Sequence, residues 1–461
     1  MTSDLEIVAT PGLGNSAYLL ASAGEAVAVD PPRDAWRIAA VAEARGWRIR
    51  HVLETHVHND YLTGARELVR SHGARIAAPA TGRYRFRTTP ADEAFAVELG
   101  DLRVVARATP GHTPEHLAWE VQRSDGSVRS IFTGGSLLMG GVGRTDLLGP
   151  KRTPELTRLQ WGTVERLREL PDTVEVLPTH GAGSFCVAGS ADGAATSTIG
   201  ALRRWNPAFG AGSLAEFERI LAEGRTRYPA YYRHMAPGNR RGPAVLGGPP
   251  EVPALSADEV AGARLAGAHL VDVRTRTRFA PLHVAGALNV DLAESFAAYV
   301  GWLVPFDAPI VLVVERPADA REAAVELLRI GYERVLGFLA GGTDAWAAAG
   351  RPISSYPTLT AKAVARERAR ARDGAGPRIL DVRQPYEWAD GVVPGSRQVF
   401  VADLPGSLRS LRAGDTPWTV MCKAGTRAGI AASVLDAAGI PVRLVVSGGV
   451  PSLPPESLVR P

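Results

Sequence analysis

A set of motifs that recurs in the C-terminal part of the chain limits its fold more than any other feature. Val271-Asp272-Val273-Arg274 is matched by Leu380-Asp381-Val382-Arg383, and Val284-Ala285-Gly286-Ala287 by Val393-Pro394-Gly395-Ser396 at the same offset. Further on, Ala340-Gly341-Gly342 is matched by Ser447-Gly448-Gly449. Motifs that recur in one order indicate one structural plan used twice. The shared plan is a strand ending in Asp-Val-Arg, a turn, another strand, a helix and a Gly-Gly turn. Each unit has ~100 residues, enough for a small α/β domain. The two domains are expected at 253–350 and 358–456, after a Gly-, Pro- and Arg-rich linker at 236–253 and a second break from Gly350 to Pro357.

Residues 1–240 form the remaining domain. Short apolar runs alternate with helical patterns. The runs are Val27 to Val29, Ile49 to Leu53, Arg75 to Ala78, Leu102 to Ala106 and Ser130 to Thr133; the helices are expected at Asp34 to Arg45 and Tyr61 to His72. This is an α/β pattern, and its many strands suit two sheets packed face to face.

Composition excludes several roles. The 52 basic and 48 acidic residues leave a net charge of +4 spread along the chain, which is no footprint for nucleic acid. No apolar run approaches the ~18–20 residues that span a bilayer. Met1 to Ala9 carries Asp4 and Glu6 and does not read as a signal peptide, so a cytoplasmic location is expected. Only two cysteines occur, Cys186 and Cys422, and a disulfide is not expected in a reducing compartment.

Cys422 follows the apolar strand Trp418 to Met421 and precedes an apolar helix from Ala428 to Ala438. Unpaired N–H groups converge at such a junction and favour a thiolate. Gly425 lets the loop curl so that these groups point inward, and Lys423 and Arg427 add positive charge. Such a cysteine suits a nucleophile that accepts sulfur and holds it as a persulfide. Cys422-x-x-Gly425-x-Arg427, with Asp381-Val382-Arg383 and Val393-Pro394-Gly395-Ser396, resembles the rhodanese family. A Trp common after the Gly-Gly turn is replaced by Val450-Pro451. The resemblance implies Cys422, Lys423 and Arg427 as catalytic and Gly425 on the substrate side. Residues 253–350 resemble the same family, but Glu315-Arg316-Pro317 stand where the cysteine is expected. A carboxylate cannot carry a persulfide and Pro317 removes an N–H, so this domain reads as silent and structural.

Four histidines lie in three short turns after apolar runs. They are Thr55-His56-Val57-His58-Asn59-Asp60-Tyr61, Thr109-Pro110-Gly111-His112-Thr113 and Pro178-Thr179-His180-Gly181. Two histidines at i and i+2 can share a metal, and Asp60 can bind or orient. These motifs resemble the metallo-β-lactamase fold, which implies an αββα sandwich. Phe132-Thr133-Gly134 and Gly143-Arg144-Thr145-Asp146 are similar to those of its persulfide dioxygenases, which use one non-haem iron. Gly181 to Cys186 and Pro229 to Met235 resemble fusions of such a domain with rhodaneses. Two departures stand out: Gly135 occupies the place of an aspartate ligand, and Tyr61 that of a histidine. The resemblance implies one Fe(II) or Zn(II) on His56, His58 and His112, with Asp60 and His180 close by. It also implies Arg144, Asp146 and Tyr231 as substrate-binding, and leaves Cys186 open between a sulfur acceptor and a buried filler.

The expected activity is persulfide oxidation in the first domain and sulfur transfer through Cys422 in the last. Partners are a low-molecular-weight thiol persulfide, thiosulfate or sulfite, with a homo-oligomer left open. Two alternatives stay open for the first domain: a zinc-dependent thioester hydrolase and a metal-free binding module.

Overall fold

The structure is a computed structural model that describes residues 4–189, 195–293, 295–371, 376–412, 414 and 416–460; Met1 to Ser3, at the start of the stretch read for a signal peptide, lie outside them. The chain divides into two compact units, 1–250 with 328–331 and 251–327 with 332–461. No described helix is long and apolar enough to cross a membrane.

The first unit holds two six-stranded sheets. The first runs Asp4–Thr10, Asn15–Ser22, Glu25–Val29, Arg48–Leu53, Arg75–Pro79, Thr89–Ala91 in spatial order. The second runs Ser197–Thr198, Glu175–Pro178, Val128–Gly134, Leu117–Gln122, Leu102–Ala108, Ala96–Leu99. Side chains alternate along a strand, so one strand can serve two cores. On Asn15–Ser22, Tyr18 and Leu20 join a core shared by both sheets, with Val29, Leu53, Trp119, Phe132 and Leu177. The alternate residues Ala17, Leu19 and Ala21 face a second core with Ile38 and Ala42 of helix Trp36–Arg45 and Leu68 of helix Ala65–His72. Beyond the other sheet, Val164 and Leu167 of helix Thr153–Leu167 pack with Ile131 and Val176. Fully burying one such side chain contributes ~1.5–3 kcal/mol. The result is an αββα sandwich.

Two expectations need correction. The helix expected from Tyr61 begins at Ala65, because Asn239 ties down the preceding turn: its side chain donates to the Tyr61 carbonyl at 2.8 Å and accepts from Thr63 N–H at 2.8 Å. The linker expected from residue 236 is partly helix, since Tyr232–Arg241 continues through Pro237, with Met235, Ala236 and Asn239 buried.

The second unit carries the repeat. One parallel sheet has the order Ala254–Leu255, Val335–Leu339, Ile310–Val313, His269–Asp272, Leu288–Asn289. The other has Thr358–Thr360, Val442–Ser447, Trp418–Met421, Ile379–Asp381, Arg397–Gln398, also parallel. By chain order both read first, fifth, fourth, second, third. In each, the strand that leads to the cysteine or its counterpart lies at the centre.

Candidate functional site

In the first unit, strands Glu25–Val29 and Arg48–Leu53 run parallel, as do Val128–Gly134 and Glu175–Pro178. Their ends deliver Asp30, His56, Gly135 and His180, while the turn after Leu102–Ala108 delivers His112. The structure brings all four predicted histidines into one buried cluster. The ligand atoms of His56, His112 and His180 lie within 4.8 Å of one another, and so do those of His58, Asp60 and His180 and those of Asp30, His56 and His58. The expected trio His56, His58 and His112 is not one of these groups among the described residues.

His112 is aimed by its surroundings. Its Nδ1 faces the Arg144 carbonyl at 2.8 Å, which makes Nδ1–H the donor. Its Nε2 is buried with no hydrogen-bond partner among the described residues. Burial, with His180 beside it, pushes His112 down to about 3, so the ring is neutral and its Nε2 lone pair is free. His56 is held well below its ordinary value by burial and by its histidine neighbours, and its Nε2 lies 3.3 Å from that of His180. Buried imidazoles whose ring nitrogens converge are the donor set of zinc and ferrous iron. The residues present therefore fit a divalent metal on His56, His112 and His180.

His58 is placed differently. Its Nε2 faces Asp30 at 3.3 Å, Glu54 at 3.3 Å and the Tyr61 hydroxyl at 3.0 Å. Burial alone would lower His58, but Asp30 and Glu54 outweigh it and raise it to about 10. Burial also disfavours the Asp60 anion, yet the neighbouring His180 and Asn15 bring the carboxyl down to about 2. The Asp60 carboxylate lies 3.1 Å from His180 Nδ1 and accepts from Asn15 at 3.0 Å.

Gly135 makes room for His112. A Cβ there would stand 2.8 Å from the ring Cγ and 2.9 Å from Nε2, and one at Gly143 would stand 2.6 Å from Nδ1. The imidazole fills the space that an aspartate side chain at position 135 would need.

Arg144 and Asp146, expected to bind substrate, satisfy each other at 2.8 and 2.9 Å, and Arg144 also donates to the carbonyls of Phe185 and Thr226. Their turn also presents the carbonyl that orients His112. Tyr231 is buried, with its ring against Tyr232 at 5.1 Å. Cys186 is fully buried, its sulfur 3.9 Å from the Tyr232 hydroxyl. Burial pushes its thiol well up, the condition of an inert cysteine.

Sequence reasoning missed Asp30, Asn15, Glu54 and the role of Asn239. Asp30, in left-handed backbone at φ 49°, accepts from Thr55 N–H and Oγ1, both at 2.7 Å, and from Thr179. An aspartate directly after an apolar strand was the one available signal.

In the second unit, Cys422 is buried at the end of strand Trp418–Met421, and helix Thr426–Ala437 starts four residues later. The Gly425 N–H donates to its sulfur at 3.0 Å, with Gly425 at φ 101°. Arg427, expected to add positive charge to the loop, is held by a carboxylate. Its guanidinium is paired with both oxygens of Glu387, one of them at 2.8 Å. Lys423 is exposed. Arg276 of the preceding repeat reaches this loop, donating to the carbonyls of Val446 at 3.2 Å and Ala424 at 3.4 Å, while Asp291 holds it at 2.7 Å.

Sheet register corrects one position. Val273 N–H donates to the Val313 carbonyl at 2.9 Å, and Val382 N–H to the Met421 carbonyl at 2.9 Å. Val313 thus corresponds to Met421, and buried Val314, not Glu315, stands where Cys422 does. Glu315 is exposed and lies 3.5 Å from Arg278.

Residues 10–180 match the Metallo-beta-lactamase superfamily, and residues 256–349 and 364–453 each match the Rhodanese-like domain. The chain belongs to the metallo-β-lactamase superfamily and carries two rhodanese domains. A hydroxyacylglutathione hydrolase of Cereibacter sphaeroides is 34% identical over 183 residues, 38% of this chain and 66% of that protein. One of Rhodopseudomonas palustris is 30% identical over 185 residues, 39% of this chain and 67% of that protein. The chain thus spans about two thirds of the length of these relatives. The solved metallo-beta-lactamase of Staphylococcus aureus superposes with a TM-score of 0.66 at 25% identity, covering 73% of this chain and 99% of that one. That share exceeds the first unit, so the likeness runs beyond it.

Proposed function

We propose that this metallo-β-lactamase and rhodanese fusion handles sulfane sulfur: the first domain acts on a low-molecular-weight thiol persulfide, and the last moves sulfur through Cys422. The observation that carries the reading is the Gly425 N–H donated to the Cys422 sulfur at a helix start, in a chain that also gathers four buried histidines in one pocket. The Cys422 thiolate attacks the outer sulfur of a persulfide or of thiosulfate. The S–S bond breaks, its electron pair leaves with the carrier thiolate or with sulfite, and Cys422 keeps the sulfur as a persulfide. The loop N–H groups then stabilise the terminal sulfur anion.

In the first domain His56, His112 and His180 would hold one metal ion. Ferrous iron bound there supplies redox chemistry with oxygen, and zinc supplies Lewis acidity. The Arg144 carbonyl fixes the His112 tautomer, and Asp60 with Asn15 orients His180. Protein purified without added metal should carry about one ion or fewer per chain, lowered further by His112→Ala and by His180→Ala. A content near two ions would overturn the single-ion reading.

A second reading, a zinc-dependent thioester hydrolase, is favoured by the hydroxyacylglutathione hydrolases among the relatives. Oxygen uptake with a thiol persulfide and iron supports the first reading. Thioester hydrolysis without oxygen uptake supports the second.

A further inference from the structure

A cavity of about 690 Å³ in the first unit is lined by Arg83, Arg85, Arg152, Arg240, Arg241 and Glu115, among others. That volume suits a small-molecule ligand. Its walls are tied together by hydrogen bonds. Arg85 N–H donates to the Arg240 carbonyl at 2.7 Å, and Arg240 Nε donates to the Gly82 carbonyl at 3.0 Å, which ties helix Tyr232–Arg241 to the loop after strand Arg75–Pro79.

The charge of the cavity is not balanced from within. Arg152 pairs with Glu155 at 2.8 Å, but Arg83, Arg85, Arg240 and Arg241 meet no carboxylate at ion-pair distance among the described residues. Glu115 is buried and accepts the Val57 N–H at 3.1 Å, so it is committed to the loop between His56 and His58. Arg83, Arg85 and Arg241 are exposed and Arg240 is half-buried, so together they present a basic surface that attracts a polyanion. Guanidinium groups pair in two-pronged fashion with phosphate and carboxylate.

The cavity also adjoins the chemistry. Pro114 and Glu115 lie in the turn between His112 and His116, and Glu115 bonds to the backbone between two further histidines. A ligand whose anionic end is held by the arginines therefore sits beside the turn that bears His112.

We infer that this cavity recognises the carrier of the substrate sulfur, and that the carrier is a phosphorylated thiol with several negative charges rather than a singly charged peptide thiol. This rests on the persulfide reading above, but it concerns binding and is tested without turnover. Full-length protein is titrated calorimetrically with coenzyme A, with glutathione and with inorganic pyrophosphate. Coenzyme A is expected to bind at least about tenfold more tightly than glutathione, pyrophosphate to compete with it, and added salt to weaken it. Arg85→Gln with Arg241→Gln should weaken coenzyme A at least about tenfold while glutathione changes little. Arg103→Gln, on a strand away from the cavity, should leave both unchanged, and thermal melts check that each variant is folded. Equal binding of the two thiols, no binding of coenzyme A, or binding indifferent to the Arg85 and Arg241 changes in a folded protein would overturn the inference. If coenzyme A binds as expected but no thiol persulfide is consumed, the cavity stands and the persulfide reading fails.

Discussion

The two rhodanese domains share a sheet order and differ in one loop. Both end their second strand with a paired Asp-Val-Arg: Asp272 holds Arg274 at 2.7 Å, and Asp381 holds Arg383 at 2.7 Å. The divergence comes after the fourth strand. In the last domain Cys422 is followed by a curl with Gly425 at φ 101°, and only then by the helix. In the middle domain Val314 is followed by two residues, and helix Pro317–Arg329 starts where the other domain has Gly425. Proline has no N–H and a fixed φ, so it cannot imitate that glycine. The middle domain has thus lost the anion cradle as well as the sulfur atom.

The largest effect that separates the two domains is expected from Cys422→Ser. Thiosulfate-to-cyanide sulfur transfer by the full chain should fall by about a thousandfold or more, since the nucleophile is gone. Cys186→Ser should stay within about twofold, because that thiol is buried and protonated. Retained transfer in the Cys422 variant would move the activity elsewhere. Gly425→Ala should follow with a loss of about a hundredfold. A Cβ there would lie 2.7 Å from the Val446 carbonyl, and φ 101° is unfavourable for alanine, so the N–H that faces the sulfur must turn away. Near-normal transfer in folded Gly425→Ala protein would mean the curl is not needed.

How much of this could be read in advance depends on whether the signal was local. His56, His112 and His180 were legible because each follows an apolar strand in a short polar turn. Cys422 and Gly425 were legible for the same reason. Asp30, Asn15 and Asn239 were not, because each is one polar residue whose partner lies 25 or more positions away and becomes its neighbour only through sheet pairing or helix docking. Arg144 and Asp146 were expected to bind substrate from the resemblance, and it took the fold to show that they pair with each other. The valine at the cysteine position was hidden by a difference in loop length. Ladder register resolves it, because a one-residue slip would turn the strand over. The glycine and proline content around Pro237 suggested a linker, but burial of Met235 and Asn239 kept that segment helical.

The middle domain contributes to the comparison through Arg276. Its guanidinium lies over the loop, 2.9 Å from where a Cβ of Gly425 would be, and holds the Ala424 and Val446 carbonyls. It acts as a positioning residue that keeps the Ala424–Gly425 peptide turned so that its N–H faces the sulfur. Arg276→Ala should lower kcat for sulfur transfer about tenfold, with KM for thiosulfate changed less, since the loop loses its bond at the Ala424 carbonyl and the neighbouring strand its bond at the Val446 carbonyl. Arg276→Lys should restore part of the rate. An unchanged kcat in Arg276→Ala would make the middle domain a passive neighbour of the loop.

The smallest effect expected is none at all, and it tests the comparison most sharply. If the middle domain were silent only because it lacks a thiol, supplying one at the correct position would wake it. Register names that position as Val314, so Val314→Cys in the Cys422→Ser background is the informative chain, while Glu315→Cys would put a thiol on the exposed side of the loop. The cysteine side chain is smaller than that of valine and should be accepted in this buried site at modest cost, about 1 kcal/mol. Yet the new sulfur would find no Gly425 equivalent, because Pro317 offers no N–H and the helix has already begun. Its thiol should therefore stay protonated, and sulfur transfer should remain at the Cys422→Ser background. Exchanging Glu315-Arg316-Pro317 for Lys-Ala-Gly in the same chain, which puts a glycine with its N–H where Pro317 stands, should then produce measurable transfer. If Val314→Cys alone restores activity, the thiol and not the curl was what the middle domain lacked.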